Sequence, residues 1–552
     1  MSDPADIPAP ELRPNNERDP YQWIATARRL KQQGRLRETL ESLQQGIDCC
    51  APSASLYEYY VERLEKCNRT EEAIEVARRA ATLFPDELIF PLREALILPI
   101  LYDTQQQVEY YRHRFTEGLQ TIIRQVRLDT PAERQRALSA IGRSSNKYLS
   151  YQGQDDCALQ KMYGSWVQRI MEANYPQFAK SDPMPPVNGK IRVGFITAFP
   201  DRFLNLSAAK LFGGWIRELD REQFEIFAYH ATRTDSRESV LRWNIPFRQL
   251  SGEPEANARE VRADRLHVLV YLDFGIHPRM AELAALRLAP VQCVAWDTPL
   301  TTGMPAMDYF LSSDLMEPEN GQEHYSEELV LLPGIGVSFT KPVIPRVILT
   351  RQRSDFGLRE DAVVYLCCQS IFKYSPRQDE MTAQIAKRVP NAQFVFLMTN
   401  ELVGGDLQKR MEYAFEAAGL RASAHCVWLP EMQLLDYWNL HLVADISLDT
   451  LGWSGGVTAL EAVACGLPVV TLPGQLMRAR HSYAILTQLG VTETIAGDTA
   501  EYVDIAARLG LDREWRQIVV DRMVAGYPDL YSDMRGVRAL EVFFRRSVSN
   551  RC

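Results

Sequence analysis

The stretch Asp449-Thr450-Leu451-Gly452-Trp453-Ser454-Gly455-Gly456-Val457-Thr458-Ala459-Leu460-Glu461 constrains this chain more than any other. The apolar run at 444–448 before it reads as a buried strand, and Leu460, Val463, Ala464 and Leu467 follow at helical spacing. The expected order is therefore strand, glycine-bearing turn, helix N-terminus. Such a terminus presents N–H groups without intrahelical acceptors and the positive end of a dipole, which suits a phosphate. Gly455 and Gly456 allow the backbone to approach that phosphate. Glu461 sits about one turn further in, where a carboxylate can accept hydrogen bonds from a ribose. The layout is that of a nucleotide-sugar site.

The 552 residues suffice for two or three domains. A net charge of -9 without a basic run argues against nucleic acid or an anionic membrane as partner. Residues 1–15 are Pro-rich and acidic, with no apolar core, so neither a signal peptide nor an anchor is expected there. No apolar stretch has the length of a membrane span. The ten cysteines are scattered, with adjacent pairs at Cys49-Cys50 and Cys367-Cys368 and no zinc spacing. A cytoplasmic protein with reduced thiols, no metal and no disulfide is the expectation.

Three regions follow a segment, 1–20, expected to be disordered. Residues 21–180 read as all-α. Within them Leu30 to Leu40 matches Leu64 to Ile74 at an offset of 34, the tetratricopeptide (TPR) period. Gly34 and Asn68 fall where a left-handed residue ends the first helix of each pair. The Pro-rich linker 182–189 leads to residues 190–345, where strand patterns at 191–197, 224–229, 268–272 and 291–296 alternate with helical ones. Residues 346–552 restart the alternation with strands at 363–367, 394–397, 444–448 and 468–472, and Asp498 to Glu501 reads as a capping box. Alternation of this kind implies parallel sheets covered on both faces, with a ligand cleft at the carboxyl ends of the strands.

Several stretches in this order resemble the O-GlcNAc transferase and SPINDLY family, glycosyltransferase family 41, in a bacterial form with a short TPR region. They are Ala289-Pro290-Val291-Gln292, Thr301 to Tyr309, His324-Tyr325-Ser326-Glu327, Gln369-Ser370-Ile371-Phe372-Lys373, the opening motif, and Gly466 to Gly474 followed by Arg478, Arg480 and Ser482. The likeness covers roughly 190 to 545. It implies an α/β GT-B fold of two facing Rossmann-like halves behind an all-α TPR-like domain. The first half takes the acceptor side and the second the donor side. It implies inverting transfer without a catalytic metal or other cofactor, from a nucleotide sugar, UDP-GlcNAc or related, to a protein acceptor engaged by the TPR helices. On this likeness Lys373 is the catalytic cation. Gln369, Ser370, Lys373, Met432, Ser454, Gly455, Gly456, Val457, Thr458 and Glu461 form the nucleotide-sugar set.

The chain departs from that pattern on the acceptor side. Active relatives have Asn-His-Ser/Thr where this chain has Asn205-Leu206-Ser207, and leucine transfers no proton. Asp297-Thr298-Pro299 replaces a Gly-His/Tyr-Pro motif, Val457 stands where a polar side chain is common, and Ala459 replaces a common threonine. Asp297, Asp201 or His277 is the candidate replacement for the lost group, although a carboxylate near a diphosphate is repelled unless paired or protonated. A surface loop is the plainer place for His277; for Lys373 the plain alternative is a solvated side chain, and its position after the strand and its flanking residues favour the functional role. Three readings stand: a sugar transferase acting on protein, a catalytically degenerate relative that keeps the fold as a TPR and nucleotide-binding scaffold, or a transferase for a small molecule or lipid head group, against which the repeats argue mildly.

Overall fold

The computed structural model describes residues 18–198, 207–231, 245–250, 252–298, 300–398 and 400–551. Asp201, Leu206 and most of the 1–20 segment lie outside them. The chain divides into two compact units, Met1–Ala140 with Thr399–Lys409, and Ile141–Met398 with Arg410–Cys552.

The first unit opens with two helical hairpins, α1 (Pro20–Gln32) with α2 (Leu36–Cys49) and α3 (Ala54–Lys66) with α4 (Thr70–Leu83). The first helices of the pairs start 34 residues apart, and so do the second. Asp19 caps α1 by accepting from the Tyr21 N–H at 3.0 Å, and Pro20 occupies the first turn, where its missing N–H costs nothing. Trp23 packs across α2, where a Cβ at Gly46 would lie 2.8 Å from the indole. That contact accounts for a glycine inside a helix. Both turns use the left-handed region, Gly34 at φ 79° and Asn68 at φ 59°. Asn68 does more than turn the chain. Its Oδ1 accepts from the N–H groups of Ile100 and Leu101 at 2.9 and 3.1 Å, and its Nδ2 donates to Asp406 at 3.2 Å. The unit continues through α5 (Ile89–Leu96) and α6 (Gln105–Gln125). It ends at Ala140, short of the 180 that helical pattern alone suggests. The reason is packing: the later helix Cys157–Asn174 lies against the second unit's own loops, with Gln168 accepting from Ala306 N at 2.7 Å and Gly164 backed directly onto Gly303.

The second unit holds two wholly parallel sheets. The first contains β1 (Ile191–Thr197), β2 (Phe224–His230), β3 (Phe247–Gln249), β4 (Val268–Tyr271), β5 (Val291–Ala295), β6 (Tyr309–Ser313) and β7 (Glu328–Leu332), in the order β3-β2-β1-β4-β5-β6-β7. The second contains β8 (Val363–Cys367), β9 (Ala392–Met398), β10 (Cys426–Pro430), β11 (Ile446–Leu448) and β12 (Val469–Val470), in the order β10-β9-β8-β11-β12. Central strands β1, β4, β5 and β8 are almost wholly buried, as sheets covered on both faces require. Strand order reverses between β1 and β4 and between β8 and β11, and such switch points leave a crevice outside the carboxyl ends of the strands.

β3, β6, β7 and β10 were not expected from pattern. β3 has three half-exposed residues, β7 has one buried residue with the rest half-buried or exposed, and β10 ends in a proline. The Asp498 cap forms, but Glu501 accepts from Gly497 N, one residue before the cap, so the reciprocal box is displaced.

The final helix, Arg535–Ser549, returns to the first sheet. Phe543 meets Tyr309 at 5.0 Å, Phe544 meets Phe224 at 6.2 Å, and Glu541 accepts from Asp220 N at 2.9 Å. The two chain crossings between the halves run side by side. Ser532 N donates to Phe339 O at 2.8 Å, Lys341 lies 4.0 Å from the Tyr527 ring centroid, and a Cβ on Gly536 would meet the Gly336 backbone at 2.8 Å.

Asn68→Ala removes a side chain that satisfies two buried N–H groups and places alanine at positive φ. We expect a loss of about 2–4 kcal/mol in the stability of the first unit, with Asn68→Gly recovering only the backbone share. Urea unfolding followed by circular dichroism measures both.

Candidate active site

The glycine turn follows β11 and leads into the helix Val457–Ala464, with Gly456 as its N-cap. One buried carboxylate shapes this turn. Asp449 accepts from Ser454 Oγ at 2.6 Å, Gly455 N at 2.7 Å and Thr471 Oγ1 at 2.8 Å. Burial raises its pKa, and these donors oppose that rise. Outer contacts fix the turn further: Ser482 N donates to Ser454 Oγ at 2.8 Å, Ser482 Oγ to Gly455 O at 3.2 Å, and Ser454 N to Arg478 O at 2.8 Å. Gly455 N–H is therefore spent on Asp449. The N–H groups of Val457, Thr458 and Ala459 have no acceptor within the helix and open its N-terminus.

Lys373 ends the short turn Ile371–Lys373 after β8, on the neighbouring strand at the second switch point. Its Nζ donates to Gln369 Oε1 at 2.9 Å and to Ser454 O at 3.3 Å. Gln369 Nε2 donates in turn to Thr458 Oγ1 at 2.8 Å. One amide thus ties the ammonium to the helix start. Desolvation pulls Lys373 down to about 8, against the opposing fields of Asp449 and Asp297. Gly455 is required here. A Cβ would lie 2.5 Å from Gln369 Nε2 and 2.6 Å from Thr458 Oγ1, whereas the nearest atom to one on Gly456 is His481 Nδ1 at 3.7 Å. Close packing is thus a demand at Gly455 alone.

Aromatic rings flank the ammonium. Tyr151 stacks on Trp453 at 4.6 Å and packs on Phe372 at 4.5 Å, while Nζ lies 5.7 Å from the Trp453 centroid. The segment that carries Tyr151 is fastened to the second half by Arg478, which donates to Gln154 O at 2.7 Å and pairs with Asp156 at 2.8 Å in a buried ion pair. His481 lies under the turn, its Nδ1 3.4 Å from Ser454 O and its ring 5.2 Å from Trp296. Desolvation, reinforced by Lys373, drives it to about 3, so it is a neutral packing group at physiological pH.

The first half reaches this site through Lys210, on the helix Ser207–Glu218, which forms an ion pair and hydrogen bond with Glu461. The carboxylate expected to face a ribose is thus engaged across the cleft. Tyr437 lies beside it, and burial followed by the Glu461 charge holds the phenol neutral. Asp297 follows β5 and acts on both Lys373 and Tyr151, so it shares their surroundings. His277 does not join them. It lines a separate cavity with Ser145, Lys147, Phe274 and Pro278, accepts from Arg279 N at 3.3 Å, and is lowered by desolvation and by Arg279. Met432 sits in the loop after β10, half-buried, and Ser370 is exposed. Val457 is the first helical residue and half-buried, and Ala459 packs into the core. At the first switch point buried Asp273 accepts from Thr197 Oγ1 at 2.6 Å, and desolvation raises it to about 6.

Sequence reasoning passed over Asp449, Lys210, Tyr151 and His481. Asp449 opened the first quoted motif and Lys210 lies three residues after Asn205-Leu206-Ser207, but the partner of Lys210 is distant in the chain.

This fold is that of the GT-B glycosyltransferases. A lysine-to-methionine variant of Thermobaculum terrenum O-GlcNAc transferase superposes over 97% of this chain and 98% of its own, with a TM-score of 0.68 at 22% identity. The profile of glycosyl transferase family 41 matches residues 158–340 and 337–527, and the chain belongs to that family. Its curated relatives include a probable UDP-N-acetylglucosamine–peptide N-acetylglucosaminyltransferase SPINDLY from Arabidopsis thaliana, 26% identical over 61% of this chain and 37% of the relative. The corresponding SEC protein of the same plant is 26% identical over 64% of this chain and 36% of its own length. The chain thus spans little more than a third of these relatives. Among the described residues no helix is long and apolar enough to cross a membrane, and no group of three His, Cys, Asp or Glu side chains is placed to hold a metal ion.

Lys210 and Glu461 are largely buried, at 22% and 5% side-chain exposure, so their pairing is screened little by solvent. A double-mutant cycle of Lys210→Met and Glu461→Gln is expected to give a coupling of about 1–3 kcal/mol in urea unfolding. A coupling of zero would show that the pair does not hold the halves together.

Proposed function

We propose that this chain transfers a sugar from a nucleotide-sugar donor to a protein acceptor, with inversion at the anomeric carbon and without a catalytic metal. A UDP-sugar is the favoured donor, UDP-GlcNAc first, because the relatives' names specify it. One observation carries the reading: the Lys373 ammonium is fixed through Gln369 to the open N-terminus of the helix Val457–Ala464. A cation and preorganised amides that converge at one point stabilise charge where it develops on a leaving diphosphate.

In this mechanism an acceptor oxygen attacks the anomeric carbon as the bond to the diphosphate oxygen breaks. The leaving group's negative charge falls on Lys373 and on the N–H groups at Val457 and Thr458. Gly455 and Ser454 shape the turn, Gly456 admits the ligand, and Ser370 and Met432 line the donor's approach. Glu461 accepts from the ribose once Lys210 shares or releases it. Asp297 is the acceptor-side acid–base candidate, since the Lys373 charge offsets its own. His277 is set aside because its cavity is a different one. The helices of the first unit would engage the protein acceptor.

The second reading, a scaffold that has lost transfer, is favoured by Leu206 in place of histidine and by the Lys210–Glu461 pair. Calorimetry with UDP, UDP-GlcNAc, UDP-glucose and GDP-fucose, followed by donor consumption on candidate proteins, separates the two. Tight binding with no turnover selects the scaffold.

Lys373→Ala is expected to lower kcat by about 10²–10³-fold with an unchanged circular dichroism spectrum. Full turnover in that variant would exclude this mechanism. Lys373 acts as a cation, so its working form is lost as pH rises through about 8. kcat/KM for the donor should accordingly fall as pH rises above that value, and EDTA should leave the rate unchanged.

A further inference from the structure

The first unit contains a cavity of about 500 Å³ that the transferase reading leaves unused. It lies where the turn of the first hairpin meets the end of α3. Lys31 of α1, at the mouth, and Arg63 and Lys66 of α3 bring three cations to it. Leu36, Leu40 and Cys67 supply an apolar wall. Glu401 is the one carboxylate in the lining, beside Asn400, whose side chain donates to Lys66 O at 2.9 Å and so fixes that side.

Burial crowds Lys31 and Arg63 together. Arg63 is 8% exposed, pairs through one terminal nitrogen with neighbouring Glu62, and shares the Tyr59 ring with Arg28 at 5.2 and 5.5 Å. Its buried Nε has no hydrogen-bond partner among the described residues. Lys31 is lowered first by burial and then by Arg63, with Lys66 and Arg28 adding to that push and only Glu62 opposing it. Crowded cations around a cavity of ligand size, one of them carrying an unused buried donor, are a site in want of an anion.

We propose that this cavity binds a carboxylate flanked by an apolar side chain, presented by an acidic peptide segment of a protein partner. The carboxylate completes charge-assisted hydrogen bonds with Arg63 and Lys66, and Lys31 closes over it from the mouth. The flanking side chain rests on Leu36 and Leu40. A nucleic-acid backbone is disfavoured, because the chain carries a net charge of -9 and Glu401 faces the same space. The carboxylate comes either from an internal acidic side chain or from a chain terminus. This site stands independently of any transferase activity.

The test uses the full chain and fluorescence anisotropy. One probe is a labelled, C-terminally amidated heptapeptide alternating Glu and Leu. A second carries Gln for every Glu and is also amidated. A third is the Gln peptide with a free C-terminal carboxylate. Saturable binding of the first probe with none of the second is expected, and binding of the third identifies a terminal carboxylate as sufficient. Lys31→Glu and Lys66→Glu should each weaken binding at least about tenfold, and Arg37→Glu, outside the cavity, should not. Affinity should fall about tenfold between about 0.05 and about 0.5 M NaCl. Arg63→Met is read only with a thermal melt beside it, because that side chain is buried, and the two surface reversals decide the question without it. Equal binding of the Glu and amidated Gln peptides, binding unchanged in both Lys variants, or failure of all three peptides to bind overturns the proposal.

Discussion

The glycine turn that opens the helix Val457–Ala464 depends on a buried carboxylate. Asp449 takes hydrogen bonds from Ser454, Gly455 and Thr471, and these hold the backbone in the one path that leaves the next amides facing outward. Everything that meets the proposed leaving group is referred to that path. Lys373 is placed against Ser454 O, Gln369 against Thr458, and Gly455 fits only because it lacks a side chain. The cost of burying Asp449 is offset by three donors, which makes the turn a rigid element. Rigidity matters because preorganised charge stabilises a transition state without reorganising at the moment of reaction.

The halves meet at this site through polar contacts of different kinds. Arg478 fastens the Tyr151 segment with a buried ion pair, so the aromatic cover over Lys373 is part of the second half's own structure. Lys210 and Glu461 form a largely buried ion pair from one half to the other. Asp273 and its partner Thr197 mark the matching switch point of the first sheet.

Much of this was legible in the sequence, for reasons that differ by element. The strand–turn–helix at 444–464 was readable because its apolar periodicity changes at the glycines. The repeat period was readable because Gly34 and Asn68 are among the few residues at ease in a left-handed turn. β3 and β7 were not, since short or half-exposed strands carry little pattern. Ion pairs such as Lys210–Glu461 and Arg478–Asp156 escaped because they join residues hundreds of positions apart, and no local rule matches a lysine to its carboxylate. His277 was a candidate because it follows a strand, with a surface loop as the plainer reading, and it lines a cavity with Ser145, Phe274 and Pro278.

The paired crossings near Phe339 and Ser532 bear on how the cleft moves. Two backbones that touch side by side resist twisting and sliding far better than one, while bending across both stays soft. A swing of one half on the other would turn about the line through both crossings. Such a swing would bring the Lys210 helix back in the same register against the amides of Val457 and Thr458.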